Sequence, residues 1–148
     1  MSTSYITAEL RRQVVARAEN LCEYCLIHED DTFFSCHVDH TISEKHGGAT
    51  VSNNLALACT FCNLYKGSDI ASLSSGGVLT RFFHPRNDVW SEHFALSGAS
   101  IEARTEIGEV TARLLRFNVG DRIVERQALI QAGKYPSRAA IERIALQP

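Results

Sequence analysis

Four of the five cysteines in this 148-residue chain form two Cys-x-x-Cys pairs, Cys22/Cys25 and Cys59/Cys62. The pairs are separated by residues 26–58, a stretch of 33. A CxxC turn aims two sulfurs at one point, so two such turns supply the four thiolates of a closed, tetrahedral structural zinc site. Such a site ties distant stretches together and holds a small fold in place of a large core. The competing readings are a redox pair of CxxC motifs, which predicts reducible disulfides, and four unrelated buried thiols. The fifth cysteine, Cys36, is expected to be a reduced, half-buried strand residue.

Length suits one compact domain, or a small module with an appendage. No apolar run reaches the roughly 18 residues of a membrane span, so no membrane role is expected. The opening stretch MSTSYITAELRR lacks the apolar core of a signal peptide, which leads us to expect a cytoplasmic protein. The formal charge of −2 argues against wholesale coating of nucleic acid, but it is an average. Residues 1–75 carry five basic residues against nine acids (−4), and residues 76–148 carry ten against eight (+2). Twelve of the fifteen cations are arginine, whose planar fork suits phosphate.

The chain divides at Ser72–Gly77, the one clear small-residue break, into segments 1–75 and 76–148. In the first, a helix is expected from about Ala8 to Glu19, with Thr7 as N-cap and Leu10, Val14 and Ala18 on one face. Phe33 to Ile42 reads as a strand, Ser43 to Asn53 as a polar loop with Gly47-Gly48 at its tip, and Leu55 to Ala58 as a short strand. A helix begins near Asn63. The second segment opens on aromatic residues. Phe82, Phe83, Trp90 and Phe94 are expected to pack it onto the first, a base-stacking platform being the alternative. Helices follow at about Thr105–Arg116, Asp121–Ala132 and from Ser137. Their residues Arg104, Arg113, Arg116, Arg122 and Arg126 read equally as a phosphate track or as a solvated face paired to Glu106, Glu109 and Glu125.

The insert between the knuckles carries the chemistry. Asp39 and Asn63 are oxygen donors suited to a hard divalent cation, and His40 has the side chain whose ordinary pKa suits general-base work near neutrality. Neighbours on a strand face opposite ways, so Asp39 and His40 serve one site only if the strand ends or bends at Thr41–Ser43. Asn63 is one peptide bond from Cys62, so a zinc site there fixes its position.

In order along the chain stand Cys22-x-x-Cys25, His37-Val38-Asp39-His40, Gly47-Gly48, Ser52-Asn53-Asn54-Leu55 and Cys59-x-x-Cys62-Asn63-x-x-Lys66-Gly67. Over roughly residues 7–70 this series resembles the HNH endonuclease superfamily. The run from Arg81 through Phe83-His84-Pro85-Arg86, Asp88, Trp90 and Glu92-His93-Phe94, with Ile107-Gly108, is similar to the C-terminal extension of one bacterial HNH subfamily. The resemblance implies an α+β, ββα-metal module framed by the four-cysteine zinc site, with an N-terminal helix and a mostly helical C-terminal extension. It implies His40 as general base, Asp39 and Asn63 as ligands of a catalytic Mg²⁺ or Mn²⁺, and Asn54 as the brace that orients His40. Lys66 is expected to reach a phosphate, and His37 to touch the metal or the phosphate. The motif is of HNN type, with Asn63 where some relatives have histidine. The implied partner is DNA, duplex or branched, cut to 5′-phosphate and 3′-hydroxyl ends. One site cuts one strand, so duplex cleavage needs two copies, as in a homodimer, or two events. The alternative is a zinc-framed nucleic-acid-binding or protein-interaction module that retains the fold without cleavage.

Overall fold

The computed structural model describes residues 5–145, so the outermost ends of the two expected segments lie outside the described residues. Helix α1 (Ala8–Ala18) starts where Thr7 Oγ1 accepts the Leu10 N–H at 3.1 Å and ends at Glu19, in the left-handed region at φ 54°. Its buried face, Val14 and Ala18, packs with Leu55 and Leu57, with Leu10 and Val15 beside them. That is the apolar stripe expected of an amphipathic helix.

Strand β1 (His37–His40) pairs antiparallel with β2 (Leu55–Ala58), with Asp39 opposite Ala56 and His40 opposite Leu55. Helix α2 (Thr60–Lys66) follows β2 at once, giving a β-β-α unit. The strand is shorter than the expected Phe33–Ile42. Phe33 and Phe34 are exposed and lie outside it, so β-propensity overstated its extent. The helix starts earlier than expected because Cys59 caps it, its Sγ accepting the Cys62 N–H at 3.4 Å.

The Ser72–Gly77 break runs from inside a strand into a turn. It joins β3 (Ala71–Leu73) to β4 (Leu79–Arg81) in a hairpin that spans the expected boundary between segments. Then come the short helix α3 (Trp90–His93) and a hairpin of β5 (Phe94–Ser97) and β6 (Ser100–Ala103). Helices α4 (Glu106–Leu114), α5 (Gly120–Gln131) and α6 (Arg138–Ile144) complete the chain. Gly108 in α4 is fixed by contact: a Cβ there would stand 2.1 Å from the His93 carbonyl oxygen.

One buried apolar cluster joins the first knuckle (Leu21, Tyr24, Leu26, Ile27) to Phe82, Phe83, Trp90, Phe94, Phe117 and Tyr135. The aromatic segment is therefore core. The Phe94 ring lies 5.1 Å from Trp90, 5.3 Å from Phe83 and 5.6 Å from Phe117, close enough for favourable ring–ring contacts. Polar ties reinforce the join. Trp90 Nε1 donates to the Tyr24 carbonyl at 2.8 Å, and the Tyr135 hydroxyl donates to the Cys25 carbonyl at 2.8 Å. Glu23, between the first two cysteines, is 1% exposed. Its carboxylate accepts the Leu57 N–H at 2.9 Å and pairs with Arg86 and, at 3.0 Å, Arg143. The extension thus grips the knuckle by buried charge as well as apolar surface. Among the described residues, no helix is long and apolar enough to cross a membrane.

Candidate functional site

Cys22, Cys25, Cys59 and Cys62 are all buried, and their sulfurs lie within 4.8 Å of one another. Zinc–sulfur bonds of about 2.3 Å set tetrahedral edges of about 3.8 Å, and Cys25 Sγ stands 3.7 Å from Cys59 Sγ. A disulfide needs about 2.05 Å, and all four thiols are free. Hydrogen bonds from Cys22, Cys59 and Cys62 hold the Cys25 thiol low, while burial pushes Cys22 and Cys62 up. Four thiolates share a dry pocket only if a cation shares their charge, so the donor set fits a structural zinc.

The extension adds to this site a residue that sequence reasoning placed elsewhere. Arg122, expected on a phosphate track or a solvated face, is 4% exposed. Its Nη2 donates to Cys62 Sγ at 3.2 Å and lies 3.7 Å from Cys59 Sγ, while Nη1 donates to the Leu115 carbonyl at 2.7 Å. Burial works against its charge, but Cys62, Cys25 and Cys59 outweigh burial and raise its pKa. Arg126 is buried too, its Nε donating to the Ala99 carbonyl at 2.6 Å. Arg113 follows the surface reading, pairing with Glu109 one turn away at 3.0 Å.

Beside the zinc frame, β1 and α2 form the wall of a cleft of about 530 Å³ lined by Asp39, His40, Ser43, Glu44, Asn63 and Ser68, among others. Asp39 and His40 share it because β1 ends at His40 and the chain turns there. Asn63, in the second turn of α2, joins them from the other element.

Asn54 holds the turn. Its Oδ1 accepts the Ile42 N–H at 2.9 Å, and its Nδ2 donates to the carbonyls of Ile42 and Ala49, both at 2.9 Å. Its carbonyl accepts the Thr41 N–H at 2.9 Å. The chain passes so close that a Cβ on Gly48 would stand 1.7 Å from the Ile42 carbonyl oxygen, so only glycine fits. Arg17 of α1 secures the same loop through Ser52 Oγ at 2.8 Å and the Leu55 carbonyl at 2.7 Å.

Two site residues lie differently from expectation. Lys66 points inward, 1% exposed, with Nζ 3.0 Å from Asp39 Oδ2 and 3.0 Å from the His40 carbonyl. Helical spacing placed it one turn from Asn63, but the buried Asp39 carboxylate draws the ammonium under the cleft. His37 is exposed, and its Nε2 meets Thr60 Oγ1 at 3.2 Å, beside the second knuckle.

Sequence reasoning missed three partners. The Tyr24 hydroxyl contacts Asp39 Oδ2 at 3.3 Å. Burial, then the Asp39 charge, pushes that phenol well up, so it stays a donor. Burial likewise raises the Asp39 carboxyl, against the pull of Lys66 and Tyr24. The other two are Thr50, whose Oγ1 lies 2.8 Å from His40 Nε2, and Glu44, 3.3 Å beyond it. No spacing rule marks a threonine ten residues from a histidine, although Glu44 at four residues from His40 is a local hint.

No curated protein and no solved structure matches the chain. Residues 22–69 match the model of the HNH endonuclease family, a stretch that contains both cysteine pairs, β1, β2 and α2. The chain therefore carries an HNH domain with a four-cysteine metal site, running from the first knuckle to just past α2.

Proposed function

We propose that this chain is a metal-dependent DNA endonuclease. The observation that carries the reading is the convergence of Asp39, His40 and Asn63 on one cleft. Lys66 and Tyr24 both contact Asp39 through Oδ2, so neither of them occupies Oδ1, the oxygen that would meet a cation, and Asn63 supplies a second oxygen. This hard donor set suits Mg²⁺ or Mn²⁺. Bound there, such a cation would offset charge on the phosphate and on the departing oxygen.

His40 takes a proton from the attacking water. The water oxygen bonds to phosphorus as the bond to the 3′ oxygen breaks, and the 3′ oxygen takes up a proton from solvent. The products carry 5′-phosphate and 3′-hydroxyl ends. Asn54 and Gly48 keep the turn that aims His40, and the buried zinc frame keeps Asn63 in place.

The Asp39–Lys66 ion pair favours a second reading, an inert zinc-framed nucleic-acid-binding or protein-interaction module, because it satisfies the carboxylate without a cation. Plasmid nicking decides between them. The endonuclease nicks only when Mg²⁺ or Mn²⁺ is supplied, and His40→Ala abolishes nicking while DNA binding persists. A His40→Ala protein that cuts at the wild-type rate sinks the assignment. Binding without cleavage by the wild type under either cation selects the second reading.

A further inference from the structure

The polar groups around His40 form an ordered chain. His40 Nε2 lies 2.8 Å from Thr50 Oγ1, and Thr50 Oγ1 donates to Glu44 Oε1 at 3.3 Å. His40 Nε2 and Glu44 Oε1 are themselves 4.0 Å apart, too far for a direct hydrogen bond. Thr50 therefore bridges them. A hydroxyl has one proton to give. The Thr50 proton is given to the Glu44 carboxylate, which only accepts, so Thr50 Oγ1 must accept from His40. Nε2 then carries the ring hydrogen, and Nδ1 keeps its lone pair.

The loop is built to hold this chain. Ser43 begins the short turn that places Glu44, and Gly48 lets the segment of residues 49–50 close on Ile42 under the Asn54 side chain. His40 is 7% exposed, so the ring sits against these partners with little room for water to replace them.

We propose that Thr50 and Glu44 are positioning residues that fix His40 as its Nε2–H tautomer and so present Nδ1 as the base. That Nδ1 receives its proton from a hydrolytic water rests on the endonuclease reading; the tautomer does not. A hydroxyl without an acidic neighbour donates or accepts equally well and leaves the imidazole undetermined. The Glu44 carboxylate removes that ambiguity.

The test is nitrogen-resolved NMR of the zinc-loaded full chain with labelled histidine, recorded in a pH series carried up to the point where the imidazole signals stop changing. His40→Ala identifies the His40 signals. Wild type shows the Nε2–H form, Thr50→Ser retains it, and Thr50→Ala gives a mixture of tautomers. Glu44→Gln raises the Nδ1–H population, because Thr50 can then donate to Nε2. In plasmid cleavage, Thr50→Ala lowers kcat at least about tenfold with KM unchanged, and Thr50→Ser restores it.

A wild-type His40 in the Nδ1–H form, or a tautomer untouched by Thr50→Ala and Glu44→Gln alike, overturns the proposal. Because the tautomer is read without cleavage, an intact signature in a chain that cuts no DNA overturns the endonuclease reading alone.

Discussion

The Lys66 ammonium lies 3.0 Å from Asp39 Oδ2, and the two side chains are 1% and 9% exposed. Lys66 also donates to the backbone carbonyl of His40, so one buried charge serves both residues at the end of β1. Breaking a buried pair by removing one partner costs about 3–5 kcal/mol, because the other charge is left uncompensated. Lys66→Met is expected to lower the urea midpoint accordingly. A cation held by Asp39 replaces the missing charge, so Mn²⁺ should raise the melting temperature of the variant more than that of the wild type. Equal shifts on adding Mn²⁺ would show that Asp39 does not meet the cation.

Asn54 spans the loop with three side-chain hydrogen bonds, one accepted from Ile42 and two donated. Asn54→Ala orphans a part-buried backbone N–H and two carbonyls, at about 1–3 kcal/mol for each group that water fails to reach. Asn54→Asp keeps the acceptor but sets a carboxylate against two carbonyl oxygens, so it is expected to destabilise no less than alanine. Amide hydrogen exchange at Ile42 should quicken in the alanine variant and much less in the aspartate one. If exchange at Ile42 is unchanged in Asn54→Ala, the side chain is not the brace.

The parts legible in the sequence were those governed by local rules. The CxxC turns place two sulfurs each whatever surrounds them, and the ends of α1, α4 and α6 follow from Thr7, Thr105 and Ser137, each accepting a backbone N–H of the first turn. Asp39 and His40, between the cysteine pairs, and Asn63, directly after Cys62, stand out as candidates because their order relative to the cysteines is distinctive. What stayed hidden depends on distant partners. The direction of Lys66 is decided by a carboxylate 27 positions earlier on another element, and Arg122 is buried because two thiols some 60 residues away accept its hydrogen bonds. Nothing local separates such an arginine from a solvated one. Glu23 was equally opaque: a carboxylate between two cysteines looks exposed until Arg86 and Arg143 close over it.

Asp88 makes the acid limb of stability testable. Burial alone would raise its carboxyl, but Arg81 Nη1 and Nη2, at 2.8 and 2.9 Å, and the His84 N–H at 2.8 Å outweigh burial and hold it below its ordinary value. A depressed folded-state pKa contributes stability that is complete above the unfolded value of about 3.9 and is lost as pH falls through the folded value. Arg81 is half exposed, which limits the contribution to about 1–2 kcal/mol. Asp88→Asn should therefore be less stable than wild type at pH 7, and the gap should shrink as the pH falls below about 4. Urea unfolding at both ends of that range checks it; a gap independent of pH would assign the loss to packing instead.

Arg122 is expected to set how tightly the four-cysteine site holds a zinc ion. Four thiolates around one divalent cation leave two negative charges in a buried pocket, and the Arg122 guanidinium, 3.2 Å from Cys62 Sγ, offsets part of that charge while donating to the sulfur. Arg122→Met keeps much of the side-chain stem but removes the charge and the donor, the guanidinium whose carbon stands 6.0 Å from the Phe61 ring centre and 5.8 Å from that of Phe117. The expected loss is about 10–100-fold in zinc affinity, read by competition with a chromophoric chelator, with faster zinc release. Arg122→Lys should fall between, since an ammonium restores charge but not the fork that also reaches the Leu115 carbonyl. Zinc affinity equal to wild type in the methionine variant would mean that the cysteine cluster is compensated elsewhere, and that Arg122 ties α5 to the backbone of residues 115–116 and does nothing for the metal.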